Sequence, residues 1–379
     1  VVGLSADARH ILCVNVGSST LKGGRYLDEG EGPVLVEAAA VEGGPPALDD
    51  LLGAVGFGES ESPDVVCHRV VHGGPDRTEH TLLTPAVRAQ LADALPFAPL
   101  HLPIELAVID AVAARFPDVT GVVCLDTAFH RTMPEVASTF ALPARLRSGG
   151  VRRFGFHGLS YEYVVDHVGA DALGRAVVAH LGSGVSLAAI ADGRSQDTTM
   201  GLTPTGGVVM SSRSGDLDPG VVLQLLRRGD TTIDELAHAL DHESGMLGLS
   251  GSSADMRVLL AERARNAEAA LAVDVFCHSV RKAVGALAAV LGGIDTLVFT
   301  AGIGEHAPEV RAQVCHGLAH LGVELDLDRN ATNAAVISVD GAPVTVRVVA
   351  TDESLMMARH AARHAARHAA RLAADLPTT

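Results

Sequence analysis

The sequence predicts an α/β protein of two domains, on three observations. At 379 residues the chain is long enough for two hydrophobic cores. Apolar runs of strand length alternate with helix-length amphipathic stretches. A third sign is internal: an apolar run followed by a glycine-serine turn occurs twice, about 165 residues apart. The first copy is Ile11–Val16 before Gly17-Ser18-Ser19. The second is Val177–Leu181, the turn Gly182-Ser183-Gly184, and a further run Val185–Ile190 that Ala191-Asp192-Gly193 ends. Two strands around such a turn form a hairpin whose backbone N–H groups and hydroxyls are left to hold an anion, most often phosphate.

Composition narrows the function classes. Hydrophobic residues make up 47% and charged residues 20% of the chain, an ordinary well-cored composition. Forty glycines against 17 prolines fit a fold rich in tight turns. A formal net charge of −16 argues against nucleic acid or an anionic membrane as partner, so an anion site must be basic locally. Cys13, Cys67, Cys124, Cys277 and Cys315 are scattered without a C-x-x-C, and read as buried free thiols in a reducing cytoplasm. No apolar run approaches the roughly 18 residues of a membrane span, and no signal peptide precedes the first strand.

In chain order, residues 1–10 read as a short leader, and the first strand feeds the first turn and Lys22. Val65–Val71 is a buried strand ending in His72-Gly73-Gly74. A lone arginine in such a run is costly to bury unpaired, and Arg69 is expected to meet a ligand anion rather than an internal carboxylate. Thr84–Ala94 reads as a helix, Ala98–Pro103 as a loop and Ile104–Arg115 as a second helix. The strand Val119–Leu125 delivers Asp126 at its carboxyl end, where open α/β sheets keep their ligands, although a helix N-cap would explain Asp126 equally well in isolation. Val151–Gly158 packs two arginines, two phenylalanines and His157 into eight residues. Gly220–Arg228 and Ile233–His242 are helical, and Ser244–Ser253 is a small-residue loop leading to Asp255-Met256-Arg257. Asn266–Leu291 is a long internal helix. The strand Thr296–Thr300 runs into the glycine turn Gly302–His306, a helix Pro308–Leu321 follows, and Val344–Ala350 is the last strand. The tail Ala358–Asp375 is a helix on a His-Ala-Ala-Arg repeat. Its stripes of Arg359, Arg363, Arg367, Arg371 and of His360, His364, His368 read as a solvated face.

There is no Walker A lysine motif, no G-x-S-x-G and no H-E-x-x-H. Two glycine-serine hairpins, a late glycine turn, and arginines and histidines beside glycines instead point to phosphoryl transfer in a two-domain ATPase of the actin and sugar-kinase type. From Ile11 to about Ala358 the chain then resembles the acetate kinase family. The blocks that carry the resemblance run in order: NVGSSTLK (15–22), HRVVHGG (68–74), APLH (98–101), DTAFHRTMPE (126–135), RRFGFHG (152–158), HLGSG (180–184), DTTMGLTPTGG (197–207), SRSGDLDP (212–219), SGMLGLSGSSADMR (244–257), FTAGIGEH (299–306) and TDE (351–353).

That resemblance implies two actin-like (ribonuclease H-like) ATPase domains with an interdomain active-site cleft. Residues 1–129 with 355–379 would form the acyl side, including a returning C-terminal helix, and 130–354 the nucleotide-binding domain. It implies reversible transfer of the ATP γ-phosphate to acetate, giving acetyl phosphate and ADP, with Mg²⁺ or Mn²⁺ held by Asn15 and Glu353. ATP would lie on Lys22, on His180, Leu181, Gly182, Ser183 and Gly184, on Asp255, Met256 and Arg257, and on Gly302, Ile303, Gly304, Glu305 and His306. Arg69 would take the acyl carboxylate, and Val71, Leu100, Phe156 and Pro204 the methyl group. Asp126 matches the family's acid/base residue, and His157 and Arg213 its transition-state stabilisers. A homodimer is implied as well.

The chemistry agrees with a set of positive groups. A carboxylate nucleophile is already ionised at neutral pH, and the difficulty is bringing one anion against another. For that reason Asp126 is expected to orient an arginine or a metal-bound water rather than shuttle a proton. The chain departs from the family pattern at Ser183 (usually Asn), Tyr161 (His), Leu102 (Asn) and Asp352-Glu353-Ser354 (Asn-Glu-Glu), and none of these changes removes a charged catalytic group. Two other activities fit parts of the pattern, a propionate or longer-chain acyl kinase and an actin-like nucleotide-switched binder. Val71 narrows the pocket in favour of acetate. The binder has no need for Arg69, Asp126, His157 and Arg213 together.

Overall fold

The computed structural model describes residues 8–17, 20–58 and 61–374, with side chains described up to 368 and at 370. Residues 1–7 of the expected leader, Ser18 and Ser19 of the first turn, and Asp375 lie outside the described residues. The chain groups into two compact units. The first holds residues up to Ala128, Gly158–Tyr163 and Asp352 onward; the second holds Phe129–His157 and Val164–Thr351. The segment Gly158–Tyr163, which the sequence assigns with the nucleotide side, thus groups with the first unit.

Each unit is built on one sheet. In the first, β1 (Arg9–Val16), β2 (Thr20–Asp28), β3 (Pro33–Glu42), β4 (Val65–Val70), β5 (Thr81–Leu82) and β6 (Thr120–Leu125) lie in the order β3-β2-β1-β4-β6-β5. In the second, β7 (Ala176–Leu181), β8 (Val185–Ala191), β9 (Arg194–Thr198), β10 (Thr296–Thr300) and β11 (Thr345–Val348) lie in the order β11-β10-β7-β8-β9. Both sheets open with an antiparallel three-strand meander and extend its first strand by two parallel strands. The repeated hairpin in the sequence is therefore the start of a repeated topology.

Period-2 alternation sets what covers the first sheet. Leu12, Val14 and Val16 of β1 face Leu51, Leu52, Val108 and Val112 of the helices Leu48–Ala54 and Leu102–Arg115. Ile11 and Cys13 face the other way, onto Met356, Met357 and Ala361 of the final helix, Glu353–Ala374. In the second unit the helix Ala267–Val290 buries one stripe, including Ala272, Phe276, Val280, Val284 and Leu287, and exposes Leu271 and Val290. It is covered on one face rather than internal. Asn266 caps it by accepting from the N–H groups of Glu268 and Ala269.

Several local readings change. Arg9 and His10 belong to β1, not to a leader. Leu102 and Pro103 form the first turn of a helix, since proline suits that position. The small-residue stretch after Ser244 contains a helix, Gly245–Ser250, because Met246 and Ser250 are one turn apart and both buried. The helix begun at Pro308 stops at Cys315. The tail is not a uniformly solvated face, since His360 is half-buried against Glu162, with 13% of its side chain exposed.

Phe276 is fully buried in the middle of the long helix. Phe276→Ala is expected to cost about 3–5 kcal/mol of stability, read as a lower denaturant midpoint at unchanged slope.

Candidate active site

In the first unit the carboxyl ends of the three parallel strands meet on one guanidinium. Arg69 is the penultimate residue of β4, and Asp126 follows β6 directly. Arg69 Nε donates to Asp126 Oδ1 at 2.8 Å and Nη2 to Oδ2, while Nη1 donates to Asn15 Oδ1 at 3.1 Å. The pair is bidentate, and Asp126 is 1% exposed. This corrects the expectation for Arg69, which meets an internal carboxylate. Burial works against the arginine's charge, but Asp126 and Glu353 outweigh it and the net shift is upward. Three of the five guanidinium N–H groups are used in these bonds, leaving two donors.

Glu105 lies beneath, 2% exposed, with Oε2 accepting from the N–H of Val71 at 3.1 Å. Burial pushes its carboxyl up to about 8, against the opposing pull of Arg69 and the Val71 N–H. Of the residues expected to touch the methyl group, Val71 is buried and Leu100 is 48% exposed in this unit, while Phe156 and Pro204 belong to the second unit. Lys22 is exposed on β2, opposite Asn15 in register. Asn15 and Glu353 offer an amide and a carboxylate oxygen beside Arg69, an all-oxygen donor set of the kind Mg²⁺ takes.

In the second unit the hairpin β7–β8 turns through three residues, Gly182–Gly184, and a cavity of ≈ 580 Å³ opens on it. Gly182, Ser183, Asp255, Met256, Arg257, Gly302, Ile303 and His306 line it, joined by Ser211, Ala254 and Ala307. Eight of the residues expected to hold ATP are thus brought together. His180, Leu181, Gly184, Gly304 and Glu305 are not on its wall but shape it. Leu181 and Gly304 are buried, and Glu305 Oε1 accepts from Thr351 N–H at 3.1 Å. Asp255 spends its carboxylate on capping the helix Met256–Glu262 and on pairing with Arg257.

The far side of the same turn carries the other two expected groups. His157 stacks on His180 with ring centroids 4.1 Å apart, and its Nδ1 is 2.8 Å from Ser186 Oγ. Its backbone is left-handed, φ 59°, a conformation costly for a histidine and therefore held by its surroundings. A Cβ on Gly184 would stand 3.1 Å from His157 Nε2 and 3.5 Å from Arg213 Nη1. A side chain here would crowd the His157 ring and stand in ordinary contact with Arg213. Arg213 Nη1 also donates to the carbonyl of Pro204 at 3.1 Å.

Three contributors were not picked out from the sequence. Ser186 orients His157, and its signal was a lone hydroxyl in a buried apolar strand. Glu105 supports Val71 from a helix whose other inward residues are apolar. Arg311 is fully buried and donates to the carbonyls of Gly304 at 2.8 Å and Glu305 at 2.9 Å. It also bonds Asn330 and Asn333, so the glycine turn is braced from behind. Ala301, at φ 63°, opens that turn under backbone strain.

The Glu105 shift has a sign that stability should reveal. Its carboxyl titrates near 4.5 unfolded and about 8 folded, so the unfolded chain binds fewer protons between the two. Stability from this group is fully present below the unfolded value and is lost as pH rises towards the folded one. Glu105→Gln should flatten that decline, read by urea midpoints measured between about pH 5 and about pH 8.

The acetokinase family model matches residues 46–359. The acetate kinase of Rhodopseudomonas palustris (strain TIE-1) is 49% identical over 317 residues, spanning 81% of this chain and 79% of that protein. The acetate kinase of Nitrobacter hamburgensis is 42% identical over 384 residues, spanning 92% and 95%. Porphyromonas gingivalis acetate kinase superposes with a TM-score of 0.82 at 33% identity, covering 94% of this chain and 100% of that one. A propionate kinase from Francisella tularensis superposes with a TM-score of 0.84 at 31% identity, covering 94% and 99%. With a family match over most of its length and relatives near half identity, the chain belongs to the acetokinase family.

Proposed function

We propose that the protein is an ATP:acetate phosphotransferase, forming acetyl phosphate and ADP reversibly by direct in-line transfer. The observation that carries this is the turn Gly182–Gly184. One side of it walls the cavity, and the other touches His157 and Arg213. A nucleotide in that cavity presents its phosphates to backbone N–H groups flanked by an imidazole and a guanidinium. The acceptor is assigned to the first unit, where Arg69 keeps two N–H donors for a carboxylate. Family membership and the named relatives support acetate as that carboxylate.

In this reading Asp126 is a positioning residue. Its carboxylate holds Arg69 bidentate, and a carboxylate so paired is a poor base. The nucleophile needs none. His157 and Arg213 neutralise charge as the phosphoryl group passes. Asn15 and Glu353 would hold Mg²⁺, which when bound neutralises the nucleotide phosphates. Lys22 and the turn Gly302–His306 complete the nucleotide contacts. Ser183, exposed on the cavity wall, is the residue whose side chain sets this chain's nucleotide contacts apart from its relatives.

The assembly is a homodimer in this reading. The helix Pro219–Arg228 buries none of its residues and exposes Val221 and Leu223, with Leu217 and Ile233 nearby in sequence. These apolar side chains supply a self-complementary face of the kind two-fold dimers use. Five buried free thiols and the net charge of −16 support a cytoplasmic protein without nucleic-acid partners.

The decisive assay traps acyl phosphate with hydroxylamine in the presence of ATP, Mg²⁺ and a series of short carboxylates. Acetate should give the highest kcat/KM. Propionate ahead of acetate would replace the acceptor, and turnover indifferent to any carboxylate would end the reading. Arg213→Ala should lower kcat by about 10²–10³, the cost of one preorganised donor. Asp126→Asn should act chiefly through KM for acetate, by loosening Arg69. Leu223→Glu should move the protein to a monomer in sedimentation while leaving its circular dichroism unchanged.

A further inference from the structure

Beside the carboxylate half-site the first unit buries a second set of reactive groups that the reaction does not use. Cys67 on β4 and Cys124 on β6 are both fully buried, with Sγ atoms 3.2 Å apart. In register Cys124 lies opposite Arg69, and Cys67 opposite Val122, so the two thiols share a face of neighbouring strands. Each stands two residues before a member of the Arg69–Asp126 pair.

His80, just before β5, accepts a hydrogen bond at Nδ1 from the Leu125 N–H at 3.0 Å. The neutral ring therefore carries its proton on Nε2, which lies 3.1 Å from Glu162 Oε1. Glu162 Oε2 lies 2.6 Å from His360 Nε2. Two imidazoles and a carboxylate at this spacing suggest a divalent cation. The tautomer argues otherwise, because metal on His80 Nε2 would put a proton on Nδ1, facing the Leu125 N–H. Burial raises the Cys124 thiol, but hydrogen bonding to Cys67 and the charge of His80 bring it down to about 5. Cys277 and Cys315, buried without such neighbours, are pushed up to about 12.

We propose that Cys67 and Cys124 form a reversible oxidation site, closed to a disulfide by a hydroperoxide and reopened by thiols, that acts on carboxylate binding. Cys124 gives up its proton, and the thiolate sulfur attacks an oxygen of hydrogen peroxide. The O–O bond breaks, and the departing hydroxide takes up a proton and leaves as water. Cys67 sulfur then attacks the resulting sulfenic acid. An S–S bond forms, the S–O bond breaks, and the oxygen leaves with the Cys67 proton as a second water. The two thiols lose two electrons and the peroxide gains two. Closing the sulfurs from 3.2 Å to about 2.05 Å draws β4 and β6 together beneath Arg69 and Asp126.

The test treats the full-length wild-type protein with hydrogen peroxide, then blocks free thiols and maps peptides without reduction. A Cys67–Cys124 peptide that dithiothreitol abolishes is expected, with Cys277 and Cys315 still alkylated. No such peptide, or a Cys13–Cys67 bridge in its place, overturns the proposal. Cys67→Ser should stop at a sulfenic acid on Cys124 that dimedone labels. In the oxidised protein KM for acetate should rise several-fold with KM for ATP unchanged. A cross-link that leaves KM for acetate unchanged overturns the coupling. That kinetic arm rests on the acetate kinase reading and the peptide map does not. An enzyme inactive before oxidation would therefore sink the former alone.

Discussion

A half-buried guanidinium near the end of a central strand is the constraint around which the first unit is arranged. Taken out of water without a partner, Arg69 would cost several kcal/mol. Two planar N–H pairs have to meet a carboxylate at the same level of the sheet, so β4 and β6 must be parallel neighbours in one register. β1, parallel to β4 on its other side, brings Asn15 to the remaining nitrogen. A one-residue slip in either pairing would turn Asp126 or Asn15 to the opposite face and leave the charge bare. Nearby, burial pushes the Glu105 carboxyl up against the opposing pull of Arg69, and the group serves as an acceptor for the Val71 N–H.

The second unit solves a different problem with the same sheet order. Where the first unit offers charge, the β7–β8 hairpin offers backbone. A three-residue turn with no bulk at Gly184 lets His157 and Arg213 approach from one side while the cavity opens on the other. Strain accumulates at this end of the sheet, in the left-handed His157 and in Ala301 at the head of the glycine turn. Both are over-determined by neighbours. Ser186 and His180 hold the imidazole, and Arg311 saturates the carbonyls of Gly304 and Glu305.

What could be read from the sequence divides along the range of the interactions. The β7–β8 hairpin and its turn were legible because local apolar runs and glycine-serine chemistry specify them within a few residues. Asp126 at a strand end was legible for the same reason. Arg69 was visible as an anomaly, but its partner was not, since nothing in a single run says which of 45 acidic residues will share its level. The helix Gly245–Ser250 was hidden by its small residues, which are helical because Met246 and Ser250 pack inward. His360 was misread because its repeat describes an exposed stripe, whereas Glu162, 198 residues away, buries one member of it. β2 and β3 gave little signal, as β3 is exposed along most of its length and needs no apolar alternation.

The pairing of Arg69 also decides what Asp126 can be. A carboxylate receiving two charge-assisted bonds is stabilised in its ionised form, and protonating it would strand the arginine. A group that cannot readily take up a proton is unsuited to general base catalysis, whatever its position. Orientation remains. Fixing Nε and one proton of Nη2 on Asp126, and one of Nη1 on Asn15, leaves the last two N–H bonds pointing in set directions. A carboxylate arriving there meets a fork whose rotational freedom has already been removed, and less ordering is left to oppose binding. Loss of Asp126 would free that fork without removing its charge. The effect should therefore fall on how well acetate is held more than on the phosphoryl transfer that follows.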